Sequence, residues 1–278
     1  MIITKRALLF TAGIIVGIAL LFLAPVVYEA AQRALYGVKP GVTLEGQLVE
    51  GLLEEELYDV VASLAESFYV EASNASWDWQ RGEVLPEVVG QVVDVQSTVA
   101  ALLEAPARSA VRLVTVVVLP SITRAHFRPY YRGPTSEPRV ALMFNVDWGD
   151  EYIPGLLEVL AEADVAATWF LTGRWVEKAP QLAKAIAEGG HEIGNHGGWH
   201  GLAGEMSPGE VAQLIQEGGD LILEATGQRP QVFAPPAGDY TQQTVAVAAE
   251  MGYKTVLWTV DTVDWQRPAP TQIIDRVL

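Results

Sequence analysis

Three of the chain's four histidines fall within ten residues, in the stretch His191-Glu-Ile-Gly-Asn-His196-Gly-Gly-Trp-His200. Imidazole is the commonest side-chain metal ligand near neutral pH. His196 and His200 stand four residues apart, a spacing that puts both on one side of a helical turn. Gly197 and Gly198 between them oppose a stable helix without tertiary support. The chain has no cysteine, so a metal here would be held by histidine, carboxylate and water. His191 precedes the others by one strand and is expected to serve packing or a hydrogen bond.

The elements around these histidines alternate between strand and helix. Strands are predicted at Val140–Phe144, Ala167–Thr172, His191–Asn195, Val232–Ala234 and Thr255–Val260, and helices at Tyr152–Glu162, Pro180–Glu188, Gln242–Met251 and Thr271–Leu278. Ser207-Pro208-Gly-Glu210 opens a further long helix: serine caps, proline suits the first turn, and glutamate completes a capping box. Such alternation implies a parallel sheet or barrel with its chemistry at the carboxyl ends of the strands. Asn145 and Asp147 follow the first strand, His196 and His200 the third, the Pro235-Pro236 turn the fourth, and Asp261 and Asp264 the fifth. Singly, each such Asp reads as a cap or turn residue and each loop His as a solvated side chain. Converging on one face, they describe a site.

The N-terminus bears on compartment. Lys5 and Arg6 precede an uncharged run of 21 residues, Ala7–Val27, which as a helix spans roughly 31 Å, about one bilayer core. The positive residues favour a cytoplasmic stub, residues 1–27 forming a single-pass anchor with the body of the protein extracytoplasmic. The alternatives are a cleaved signal peptide, whose apolar region is normally shorter, and a buried core helix. A formal charge of −16 argues against nucleic acid as a partner.

Residues 28–126 read as a small α+β domain. Leu53, Leu57, Val61, Leu64 and Phe68 recur at helical spacing and predict a helix over 54–67. Ser76–Glu87 alternates around Gln80-Arg81-Gly82 as a hairpin, a short helix is predicted over 97–104, and Val111–Leu119 reads as a buried strand ended by Pro120. Nothing here pairs a nucleophile with a base. Residues 127–138, with Pro129, Gly133, Pro134 and Pro138, read as the linker to the 139–278 domain.

Two resemblances attach to these halves. Pro40-Gly-Val-Thr-Leu-Glu-Gly46, Gly90-Gln-Val-Val-Asp-Val95 and Leu119-Pro-Ser-Ile-Thr123 resemble the peptidoglycan-binding domain found ahead of wall enzymes such as L,D-transpeptidases. Residues 138–278 resemble the polysaccharide deacetylases of the NodB-homology type (carbohydrate esterase family 4). The resemblance is carried by Arg139-Val-Ala-Leu-Met-Phe144 with Tyr152-Ile-Pro-Gly-Leu-Leu-Glu-Val-Leu160, by Ala167-Ala-Thr-Trp-Phe-Leu-Thr-Gly173, by Gly190-His-Glu-Ile-Gly-Asn-His196-Gly-Gly-Trp-His200, by Phe233-Ala-Pro-Pro-Ala-Gly238 and by Trp258-Thr-Val-Asp-Thr-Val-Asp264-Trp265. It implies an incomplete (β/α) barrel that removes acetyl groups from carbohydrate. A divalent metal, zinc or alternatively cobalt or nickel, would be held by Asp-His-His, with an Asp base and a His acid moving protons.

The departures from that pattern fall on the chemistry. Where the family carries Asp-Asp-Gly, this chain carries Asn145-Val146-Asp147. Asparagine at the base position cannot accept a proton, and valine at the metal position cannot ligate. Asp147 or Asp150 would have to substitute, giving His196, His200 and Asp147 as the expected metal set. Ala234 replaces the arginine that orients the base, and Ala237 replaces a tyrosine whose oxyanion donor is a backbone N–H, which Ala237 retains. Pro235, Pro236, Ala237 and Trp265 are then the expected substrate residues. Asp264 would tune an acid histidine on a later strand; the chain stops at Leu278 inside the helix feeding that strand, so the domain is expected to be truncated at its C-terminus. The leading expectation is a membrane-anchored, metal-dependent deacetylase of cell-wall glycan. The rival is a catalytically silent protein that binds the same glycan. A different metal-assisted hydrolysis on the same scaffold is the third.

Overall fold

The computed structural model describes Leu21 and residues 23–278. The anchor expected at Ala7–Val27 falls largely outside these residues. Among them no helix is long and apolar enough to cross a membrane.

The chain divides into two compact units, one formed by the residues up to Ser73 with Val89–Leu119, the other by Asn74–Val88 with Pro120–Leu278. In the first unit, residues 23–36 are helical, and the predicted amphipathic helix runs over Glu54–Phe68 with Leu57 and Val61 buried. A second helix, Val95–Glu104, is capped by Asp94, whose carboxylate accepts from the N–H of Ser97 at 2.9 Å. The two pack with Val42, Leu44, Val99 and Leu102 into one core. The strand predicted over Val111–Leu119 is two short pieces, Ala110–Val111 and Thr115–Val118, and the second is exposed along its whole length. β-Branched composition had signalled extended backbone correctly and burial wrongly.

The second unit is built on a five-stranded parallel sheet in sequential order: β1 (Met143–Val146), β2 (Thr168–Leu171), β3 (Glu192–Asn195), β4 (Val232–Phe233) and β5 (Lys254–Thr255). The helices are α1 (Ile153–Glu162), α2 (Gly173–Lys178), α3 (Pro180–Glu188), α4 (Pro208–Thr226), α5 (Gln242–Glu250) and α6 (Pro270–Val277). Purely parallel pairing requires crossover helices, which cover the sheet and explain its apolar strands. Trp169 and Phe144 stack with centroids 4.4 Å apart inside a core that includes Leu171, Trp175, Ile186, Ile193 and Ile222. The capping box of α4 forms as predicted: Ser207 N–H and hydroxyl both donate to Glu210, at 2.8 and 2.7 Å, and Gly227 ends the helix in the left-handed conformation.

The register levels the strand ends. Val146 pairs with Leu171, Leu171 with Asn195, Asn195 with Phe233 and Phe233 with Thr255. The residues that follow β1 to β5 therefore leave the sheet along a single rim.

Two boundaries differ from the sequence reading. The hairpin, Ser76–Asp78 with Glu83–Leu85, belongs to the second unit rather than to a domain ending at 126. Its Ala75, Trp77 and Val84 pack on Ala246 and Ala249 of α5, together with Phe127, and the Trp77 N–H donates to Glu250 at 3.0 Å. Small residues on one face of α5 leave a groove that the hairpin fills. Residues expected as linker are likewise structured: Tyr130 donates to Thr255 and accepts from Leu257, at 2.9 and 2.8 Å, along the open edge of β5. The strand ends earlier than Val260, covering Lys254–Thr255, with an isolated parallel bridge between Tyr130 and Val256 just beyond it.

Candidate active site

The histidine loop leaves β3 as irregular chain, not as a helical turn. Asn195, fully buried, organises it. Its amide donates to the Ile215 carbonyl of α4 at 2.7 Å and its Oδ1 accepts from the N–H of Gly197 at 2.7 Å. The loop is then stitched to its neighbours by backbone bonds from His196 to Leu171, from Gly173 and Arg174 to Gly197 and Gly198, and from Gly198 to Leu214. Gly197 takes a φ of 87°, a conformation that favours glycine.

This frame brings His196 and His200 together, with ring centroids 5.4 Å apart and edge-on. His196 is 2% exposed. Its Nδ1 donates to the Ala234 carbonyl at 2.7 Å, which fixes the tautomer and leaves the Nε2 lone pair free. Burial pushes its pKa down to about 4 against the opposing pull of the Ala234 bond, so the ring stays neutral at physiological pH. His200 is exposed. His191 takes the structural role expected of it: its Nδ1 accepts from the N–H of Ala167 at 3.3 Å and its ring lies tilted against Trp169.

The carboxylate side of the site departs from expectation. Asn145 is exposed on β1, and Val146 is buried in the main core. Asp147, expected as a metal ligand, is held elsewhere. Its Oδ1 accepts from the Thr172 hydroxyl at 3.0 Å and from Arg174 Nε at 2.5 Å, while Arg174 Nη2 pairs with Oδ2. Burial alone would raise the Asp147 carboxyl; Arg174 and Thr172 outweigh it and hold the group below the usual aspartate range. Asp150 is exposed in the same loop. Asp264 lies in an exposed 3-10 turn, accepting from the Thr262 hydroxyl at 3.2 Å, and Trp265 beside it is 61% exposed. Pro235 and Pro236 are buried, and Ala237 is an exposed residue with φ of 58° whose N–H donates to no backbone carbonyl among the described residues.

The residue set does not fit a three-ligand metal. His196 is prepared as a ligand and His200 stands beside it, but position 146 offers only carbon and Asp147 is committed to a guanidinium. Among the described residues, no three of His, Cys, Asp and Glu lie close enough to hold an ion together. Arg174 and Thr172, the partners of Asp147, were missed in the sequence. The available signal was an arginine just past the end of β2, opposite an aspartate just past the end of β1.

Comparison with known proteins bears on the lineage. Residues 132–256 match the family model for polysaccharide deacetylase. The crystal structure of a carbohydrate esterase family 4 (CE4) pseudoenzyme from Bacillus anthracis is 34% identical, with a TM-score of 0.54, covering 80% of this chain and 79% of that one. The chain belongs to the polysaccharide deacetylase family. Within that family it is 35% identical over 229 residues to the uncharacterized protein YlxY of Bacillus subtilis, spanning 81% of this chain and 71% of YlxY. It is also 33% identical over 148 residues to a peptidoglycan-N-acetylglucosamine deacetylase of Bacillus cereus, spanning 53% of this chain and about half, 54%, of that enzyme. The fold of a polysaccharide deacetylase is thus present, and the α/β sheet with its level strand ends is the family's scaffold.

Proposed function

We propose that this chain is a catalytically silent polysaccharide deacetylase that binds cell-wall glycan. The observation that carries the reading is the end of β1. Asn145 has no proton-accepting atom for base catalysis, Val146 has no ligand atom, and the nearby Asp147 carboxylate is sealed by Arg174 and Thr172. The absence of an arginine at Ala234 agrees with it, since an orienting cation has no purpose without a base. The pseudoenzyme likeness supports the same reading. For glycan as the ligand, the support is the peptidoglycan deacetylases among the relatives and the exposed aromatics just past β1. Trp148 is 60% exposed and Tyr152 also faces solvent; amphipathic rings of this kind offer an apolar face to a sugar and a polar tip to water. An anchor at Ala7–Val27 would place this surface outside the membrane, facing the wall.

The test is an assay of N-acetylated peptidoglycan with purified protein and added Zn²⁺ or Co²⁺. We expect the glycan to co-sediment with the protein and no acetate to be released above blank, and binding to persist in a folded His196→Ala variant. Measurable acetate release would overturn the reading. The retained His196–His200 pair favours one rival, a metal-dependent hydrolase acting on the acetamido C–N bond with a rearranged loop at Asp147 or Asp150. Acetate release abolished by His196→Ala would establish that rival.

A further inference from the structure

The side chain of Asp147 is only 10% exposed, and a carboxylate so far from water requires a countercharge. That charge is supplied from within the chain. Arg174 meets Asp147 with Nε on Oδ1 and Nη2 on Oδ2, the two-pronged geometry that guanidinium matches best. Thr172 completes Oδ1. One residue further along α2, Trp175 Nε1 donates to the Gly149 carbonyl at 3.0 Å, so three side chains within four residues clasp the loop after β1 to the start of α2. The same segment is tied to the histidine loop: the Gly173 and Arg174 N–H groups donate to the Gly197 and Gly198 carbonyls, both at 2.8 Å, between His196 and His200.

We propose that the Arg174 guanidinium is a built-in cation that takes the place of a divalent metal beside His196 and His200 and closes the site to metal ions. The inference rests on the silent reading above and extends it from what the site lacks to what fills it. Exclusion has two parts. Arg174 holds the Asp147 carboxylate, so that with the guanidinium in place no three ligating side chains among the described residues come together, and it adds a positive charge where a second cation would have to enter. Removing the guanidinium leaves a part-buried carboxylate with only the Thr172 hydroxyl as partner, free to turn toward the histidine loop, where one imidazole is already held in the ligating tautomer. A divalent ion is the natural replacement.

The experiment is a Zn²⁺ titration of the metal-stripped full chain by isothermal calorimetry, with folding of each variant checked by circular dichroism. Arg174→Ala is expected to bind Zn²⁺ at least about tenfold more tightly than the unsubstituted protein, and Arg174→Ala/Asp147→Asn to lose that gain. Should Arg174→Ala not fold, Arg174→Gln removes the charge with less change in volume and carries the same expectation. Equal affinity with and without Arg174, or a gain that survives Asp147→Asn, overturns the proposal. Acetate release by the unsubstituted protein is read separately. Release overturns both readings, because a working metal site is not closed to metal, whereas an inert protein with no gain overturns only the role of Arg174.

Discussion

His196 is a buried imidazole with one nitrogen committed to a carbonyl, so its proton affinity is tied to folding. In the unfolded chain it titrates near 6.5, and in the fold its pKa is pushed down to about 4. As pH falls through 6.5 the unfolded state takes up a proton that the folded state refuses until about 4. The stabilisation is therefore complete above 6.5 and is lost as pH falls toward 4, on the order of 3 kcal/mol across the full window. Urea unfolding at pH 7.5 and 4.5 should show the unsubstituted protein losing about 2–3 kcal/mol more than His196→Gln over that step. Parallel losses in the two proteins would show that His196 is not a buried neutral group. The closeness of the histidine pair was legible from residue type and spacing, because four residues of loop keep the two rings near each other. Its neighbour Asp147 was legible as an acid but not as a paired one, since an ion pair between the ends of two different strands has no fixed spacing along the chain.

The histidine loop depends on α4, and α4 meets it through glycine. A Cβ on Gly218 would lie 2.4 Å from Asn195 Oδ1 and 2.6 Å from the Gly197 carbonyl carbon, with backbone that has no room to give. Gly209, on the same helix, meets nothing within 4 Å. Gly218→Ala should cost about 1–3 kcal/mol through overpacking, while Gly209→Ala should leave stability unchanged or raise it by up to about 1 kcal/mol. Thermal unfolding of the two variants side by side checks this; equal effects would mean that α4 does not clamp the loop. The start of α4, marked by its Ser207–Glu210 box, was readable from the sequence to the residue. α2 was not: its six residues, Gly173–Lys178, are too few for a helical period to emerge. The exposed strand Thr115–Val118 failed for another reason, since valine marks strand geometry whether or not anything covers it.

At the scale of the whole molecule, the membrane anchor is the part of the reading that decides where the rest operates. The full-length chain expressed in a bacterial host should sediment with membranes and stay there through an alkaline carbonate wash, while a chain starting after Val27 should remain in the soluble fraction. Equal partition of the two would remove the anchor from the account. The architecture was largely legible, because alternating strands and helices leave few topologies, but the partition of the chain between units was not, since it depends on a hairpin finding a groove on α5. That hairpin has a further consequence. The chain passes from one unit to the other three times, after 73, after 88 and after 119, so no single scission yields both units intact. A fragment begun at residue 127 would leave Ala246 and Ala249 without Ala75, Trp77 and Val84 to cover them. During synthesis, the hairpin emerges long before the sheet it serves, and it has to wait for about 160 further residues before its groove on α5 exists. The two units are thus separate in their cores and joint in their assembly.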